Sequence, residues 1–156
     1  MKGKWLVMTS IVLAVLISSM DTTITNTTVP HIVKELGGFE LYAWSFAAYM
    51  ITSTVLTPIA GRLSDLFGRK TVFAAGMFVF MIGSLLCGSA QTMLQLVLFR
   101  AVQGIGAGMM VSFPAIIAGD LFAVEKRGAM QALFSGMWGI SAVVAPFLGS
   151  LFVEYA

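Results

Sequence analysis

Residues 71–119 carry a single charge, Arg100. A bilayer crossing takes about 20 predominantly apolar residues, so this interval is too long for one helix and too apolar for a surface. It breaks at CGSAQT, residues 87–92, where Gly, Ser and Gln suit a short turn. Helices are therefore expected over about 71–88 and 93–118. The same reasoning gives spans over about 5–29, interrupted by Asp21, over 41–61, and over 129–153 behind the charged stretch DLFAVEKRG. The expected fold is an all-α membrane protein of five transmembrane helices. The alternation of a barrel strand is absent from the sequence.

Composition narrows the function classes. Charged residues make up 10% of the chain and hydrophobic ones 58%, with a mean hydropathy of +0.94; a soluble domain carries about 25% charged residues. The net charge of +2 comes without a basic stripe, so nucleic acid is not an expected partner. Cys87 stands alone and forms no internal disulfide. No His, Cys, Asp or Glu cluster has metal-ligand spacing, and no span carries a nucleophile–base pair, so neither a metal nor an enzyme is expected.

The opening MKGKWLVMTSIVLAVLISS has the basic start and apolar run of a signal peptide. No A-x-A-like site follows, and apolar and hydroxyl residues continue past Asp21, which favours a retained span. Lys2, Lys4, Arg62, Arg69, Lys70, Lys126 and Arg127 fall on one side of the expected spans and Lys34 on the other. The positive-inside bias then puts the N-terminus in the cytoplasm and Ala156 outside.

The interruption in span one carries the chemistry. A charge at the bilayer centre costs roughly 2.5–3.5 kcal/mol even on lenient scales. Asp21 lies about 24 Å along the helix from Trp5. It shares a face with Thr25 and Thr28, with Thr22 and Asn26 beside it. Such a polar stripe is expected to face a bundle interior or a water-filled cavity. Arg100 sits at broadly similar depth on span four, so the two are expected to approach directly or through Gln103 or Asn26. Desolvation favours the neutral acid and a nearby Arg the carboxylate, so Asp21 is the candidate proton site and Arg100 its tuner. A purely structural ion pair, or Asp21 at a wet helix end, remain open.

Three stretches carry a family resemblance. GRLSDLFGRK, residues 61–70, reads physically as a tight charged link, with Gly61 and Gly68 allowing turns and Asp65 able to pair with Arg62 or Arg69 or to cap a helix. Its pattern G-x-L-x-D-x-x-G-R-K resembles the signature loop of the major facilitator superfamily, matched at Gly61, Leu63, Asp65, Gly68, Arg69 and Lys70. MDTTITNTTVP resembles the first-helix motif of the fourteen-span drug exporters, matched at Asp21, Thr23, Ile24, Asn26 and Pro30. RAVQGIGAG, residues 100–108, resembles R-x-x-Q-G-x-G-A at Arg100, Gln103, Gly104, Gly106 and Ala107. A fifth-helix antiporter motif is worn. SAVVAPFLGS keeps Pro146 and Gly149 but has Ser141, Ala145 and Ser150 where the family usually has glycine.

The resemblance, from about Trp5 to Phe152, implies most of an N-terminal six-helix bundle, working by alternating access in a plasma membrane. It implies proton-driven efflux of hydrophobic or cationic compounds, of the kind that confers antibiotic resistance, with the proton gradient in place of a cofactor. It also implies that the 61–70 loop acts as a conformational switch against a second bundle. That bundle lies outside these 156 residues, so the chain is expected to be part of a longer polypeptide or to associate. A sugar or organic-anion porter, with Arg100 holding substrate, and a truncated non-transporting component are the alternatives.

Other features have simpler readings. Gly104 and Gly108 form a small-xxx-small packing face rather than a phosphate loop. His31, Trp5, Trp44 and Tyr42 suit the membrane interfaces, whereas Trp138 lies deeper. Some of the eleven Met and twelve Phe suit an adaptable pocket.

Overall fold

The structure, a computed structural model, describes residues 2–114, 128–129, 131–132 and 135–144. Helix α1 runs Lys2–Leu36, a 3-10 turn covers Phe39–Leu41, and α2 (Tyr42–Phe67), α3 (Arg69–Gly88) and α4 (Met93–Val111) follow. A shorter apolar helix, α5, spans Ser135–Val144. Among the described residues there is no strand. Helices α3 and α4 are long and apolar enough to cross a membrane. The chain divides into two units, one of residues 1–29 with 113–156, the other of residues 30–112.

In the first unit, α1 carries its row of hydroxyls without a break. Thr22 and Thr23 donate to the carbonyls of Ser18 and Ser19 at 2.9 and 3.0 Å, and Thr27 and Thr28 both donate to that of Ile24 at 2.7 and 2.8 Å. Each hydroxyl proton is thus used one turn back on the same helix, which is how a threonine-rich segment stays helical in an apolar setting. The helix also continues through Pro30 to Leu36, beyond the hydrophobic span expected to end near 29. Hydropathy marks where lipid ends, and a helix is free to run on into the interface. Gly37 and Gly38, at φ 69° and 75°, finally turn the chain.

In the second unit, α4 lies between α2 and α3 and packs extensively on both, while α2 and α3 meet less closely. Glycines set this closeness. A Cβ on Gly104 would meet Thr52 Oγ1 and the Tyr49 carbonyl, and one on Gly108 would meet the Ser53 carbonyl and Leu56, all on α2. A Cβ on Gly106 would meet Phe80 and Gly76 of α3. The expected Gly104/Gly108 face is therefore the α2 face, and Gly106 makes a second one on α3. The start of α4 is capped: Thr92 Oγ1 accepts from Gln95 N at 3.2 Å, and Gln95 Oε1 accepts from Gln91 N at 3.0 Å.

The 61–70 link is shorter than its glycines suggest. Helix α2 stays helical through Gly61 to Phe67, because one glycine costs only about 1 kcal/mol relative to Ala and a long helix absorbs it. Asp65 accordingly sits on the last turns of α2, exposed, rather than at a helix N-terminus. Gly68 alone makes the turn, at φ 86° and ψ 142°. A Cβ there would meet nothing within 4 Å, so only backbone strain opposes a side chain. Gly68→Ala is expected to cost about 1–3 kcal/mol, read as a fall in thermal midpoint of the detergent-solubilised protein.

Candidate functional site

The second unit buries one cation. Arg100 is 3% exposed and Gln103, one turn further along α4, is 1% exposed. Arg100 Nη1 donates to Gln103 Oε1 at 2.8 Å, and the guanidinium lies 5.2 Å from the centroid of the Tyr49 ring on α2. An Arg removed from water needs acceptors and negative potential around it. The amide oxygen supplies the first and the ring face the second.

Helix α3 joins the site through close backbone contact. A Cβ on Gly83 would lie 2.6 Å from Gln103 Cα, so only glycine lets α3 approach α4 here. One turn on, Cys87 Sγ lies 3.8 Å from Gln103 Oε1 and donates to it. The amide orientation has a chemical cause. Arginine only donates, so Gln103 must turn its oxygen to Arg100, and the NH₂ group faces away. Gln103 Nε2 is buried and has no hydrogen-bond partner among the described residues. Replacing Gln103 with Leu removes an acceptor from a buried cation. Gln103→Leu is expected to destabilise the protein by about 1–3 kcal/mol in a thermal unfolding assay, with Gln103→Glu, which keeps the acceptor, markedly less affected.

In the first unit, Asp21 is half-buried on α1, in the turn after Ser18 and Ser19. Ser19 is fully buried and its hydroxyl lies 2.6 Å from that of Ser141 on α5. Ser19 also donates to the Leu16 carbonyl at 2.9 Å, so Ser141 supplies the proton between the two hydroxyls. The serine standing at a family glycine position thus has a buried partner. Asn26 lies on α1 one turn beyond Thr22.

The structure therefore brings Arg100 and Gln103 together, as the i, i+3 spacing implies. Asp21 belongs to the other unit. Arg69 begins α3, half-buried, and Lys70 beside it is exposed. Pro146 and Gly149 lie outside the described residues. Sequence reasoning missed Tyr49, Cys87 and Ser19. Tyr49 falls seven residues after Tyr42 on one helix face, a visible signal, but nothing in the sequence marks Cys87 as a partner of Gln103. Among the described residues no group of three His, Cys, Asp or Glu side chains is placed to hold a metal.

Apolar helices of membrane-crossing length, packed through glycine and burying an arginine among polar groups, fit a polytopic membrane protein. The sequence matches the profile of the Major Facilitator Superfamily over residues 11–156, and the chain belongs to that superfamily of membrane transporters. It is 41% identical over 149 residues to Multidrug transporter protein MdtP of Bacillus subtilis (strain 168), covering 96% of this chain and 28% of that protein. It is 45% identical over 148 residues to Multidrug resistance protein 3 of the same organism, covering 95% and 29%. Efflux pump FUS6 of Gibberella moniliformis (strain M3125 / FGSC 7600) is 35% identical over 150 residues, covering 96% and 27%. The chain thus spans less than a third of the length of these relatives.

Proposed function

We propose that these 156 residues form most of the N-terminal six-helix bundle of a longer drug exporter that exchanges protons for hydrophobic or cationic compounds. The five crossings are those over about 5–29, 41–61, 71–88, 93–118 and 129–153, in a plasma membrane, with the N-terminus cytoplasmic and residue 156 outside. Asp21 carries the exchanged proton. Arg100, held by Gln103 and assisted by Asn26, biases its release as the cavity opens alternately to each side. Drug cations compete with the proton for the same carboxylate. Gly61, Asp65, Gly68, Arg69 and Lys70 act as the switch between the bundles, and Gly104, Gly108, Pro146 and Gly149 keep helices close enough to rock without leaking.

The observation that carries this reading is the Arg100–Gln103 pair buried at the glycine-lined centre of the second unit. The placement of Asp65 adds to it. A carboxylate near the C-terminal end of a helix opposes the helix dipole, so its place there calls for a reason outside α2. The names of the two bacterial relatives, a multidrug transporter and a multidrug resistance protein, support the drug class. The test is made on the full-length protein in everted membrane vesicles holding a pH gradient. Adding a drug cation should release protons in proportion to drug taken up; uptake of drug with no proton movement would discard the exchange.

A further inference from the structure

Helix α1 is buried along Ile11, Ala14 and Val29. Apolar contacts are non-directional, so they hold the helix in place without fixing its rotation. Its threonines do not fix it with their protons either: Thr22, Thr23, Thr27 and Thr28 all donate to carbonyls of α1 itself. Ser19 is different. Its hydroxyl lies 2.6 Å from that of Ser141 on α5, and both side chains are fully buried. Since the Ser19 proton goes to the Leu16 carbonyl, Ser141 is the donor. Serine carries its oxygen one bond beyond Cβ, so so short a bond sets both the distance and the angle at which α1 meets α5. Asp21 follows two positions later, about 200° round the helix, on the flank away from Ser141.

Packing alone does not call for this pair, since two alanines would fill nearly the same space without burying two hydroxyls. Nor does the antiporter motif supply it. Ser141 stands where that motif usually has glycine, which has no side chain to make the bond. We propose that the Ser141–Ser19 hydrogen bond is a clasp that fixes the rotation of α1 and so holds Asp21 in register for proton exchange. Both serines are positioning residues that act through the helix and not on the solute. With the clasp closed, drug and proton take turns at one carboxylate. Without it, α1 turns on its apolar contacts, and drug crosses while Asp21 stands out of line. The clasp therefore keeps exchange strict, and its loss shows as slip, drug movement that carries no proton. This inference rests on the exchange reading and names further residues for it.

The test uses the full-length protein in everted vesicles, with ethidium as the drug cation. Protons released and ethidium taken up are counted in the same vesicles, and the readout is the share of uptake that carries no proton. That share is a ratio within completed turnovers, so a loss of folded protein leaves it unchanged. Ser19→Ala, Ser141→Ala and the double variant should each raise it about threefold, the shift that an average interhelical hydrogen bond makes in a membrane. The double variant should match the singles, because all three lack the same bond. It also leaves neither hydroxyl without its partner, so it should fold. An unchanged share in the variants, with only the thermal midpoint lowered, would make the pair a packing contact and overturn the clasp. Single effects that multiply in the double variant would overturn it too, since the serines would then act apart. A wild type that takes up no ethidium, or takes it up with no proton released, removes the exchange reading itself, and the clasp's role with it.

Discussion

Asp21→Asn is expected to stop drug-driven proton movement while leaving drug exchange across the membrane in place. The amide nearly matches the carboxyl in shape and hydrogen-bonding reach, yet it neither takes up nor releases a proton near neutral pH. Local folding should tolerate the change, because the neighbouring hydroxyls of Thr22 and Thr23 are bonded to the α1 backbone at Ser18 and Ser19. The measurement pairs two assays on one set of vesicles: proton release on adding drug, and exchange of labelled for unlabelled drug with no gradient. Loss of the first with survival of the second assigns the coupling proton to Asp21. A structural ion pair behaves differently: Asp21→Asn would then lower the thermal midpoint and leave the ratio of protons to drug unchanged. Asp21→Glu keeps a titratable group and should retain coupling, at a rate reduced by the extra methylene.

Some of this architecture is legible in the sequence because lipid imposes a simple rule. An uncharged interval too long for one crossing has to fold back, and residues 87–92 hold the turn and the cap that let it. Helix ends are less legible, since the apolar pattern reports the membrane boundary and not the backbone. α1 therefore continues past Pro30, and α2 continues past Gly61. The Arg100–Gln103 contact is legible because both residues lie on one face of one helix. The Tyr49 ring and the Cys87 thiol are not, because they come from two other helices whose register is set by glycine contacts. Ser141 reads as a departure from a motif, and only its neighbour Ser19 gives it a role.

Those glycine contacts lead to the second large effect. Gly106→Ala should destabilise the protein by about 1–3 kcal/mol, as overpacking does, and Gly106→Leu considerably more. A Cβ at Gly106 would meet the Phe80 amide nitrogen, with Phe80 Cα and the Gly76 carbonyl oxygen each at 2.7 Å. All three are backbone atoms of α3, so no side chain can rotate aside and the helices have to separate. Within lipid there is little hydrophobic force to hold separated helices together, which makes close packing the main source of their affinity. Gly61→Ala is the control. Gly61 is also helical, but a Cβ there meets nothing within 4 Å, so the better helix former should raise stability by up to about 1 kcal/mol. The same chemical change thus has opposite signs at the two positions, read as thermal midpoints in one detergent. Gly106→Ala also draws α4 away where the Gln103 backbone rests against Gly83, so the Cys87 thiol of α3 should lose its contact with the Gln103 amide oxygen as the helices part. Equal midpoints for the two variants would mean that α3 and α4 do not meet backbone to backbone at Gly106.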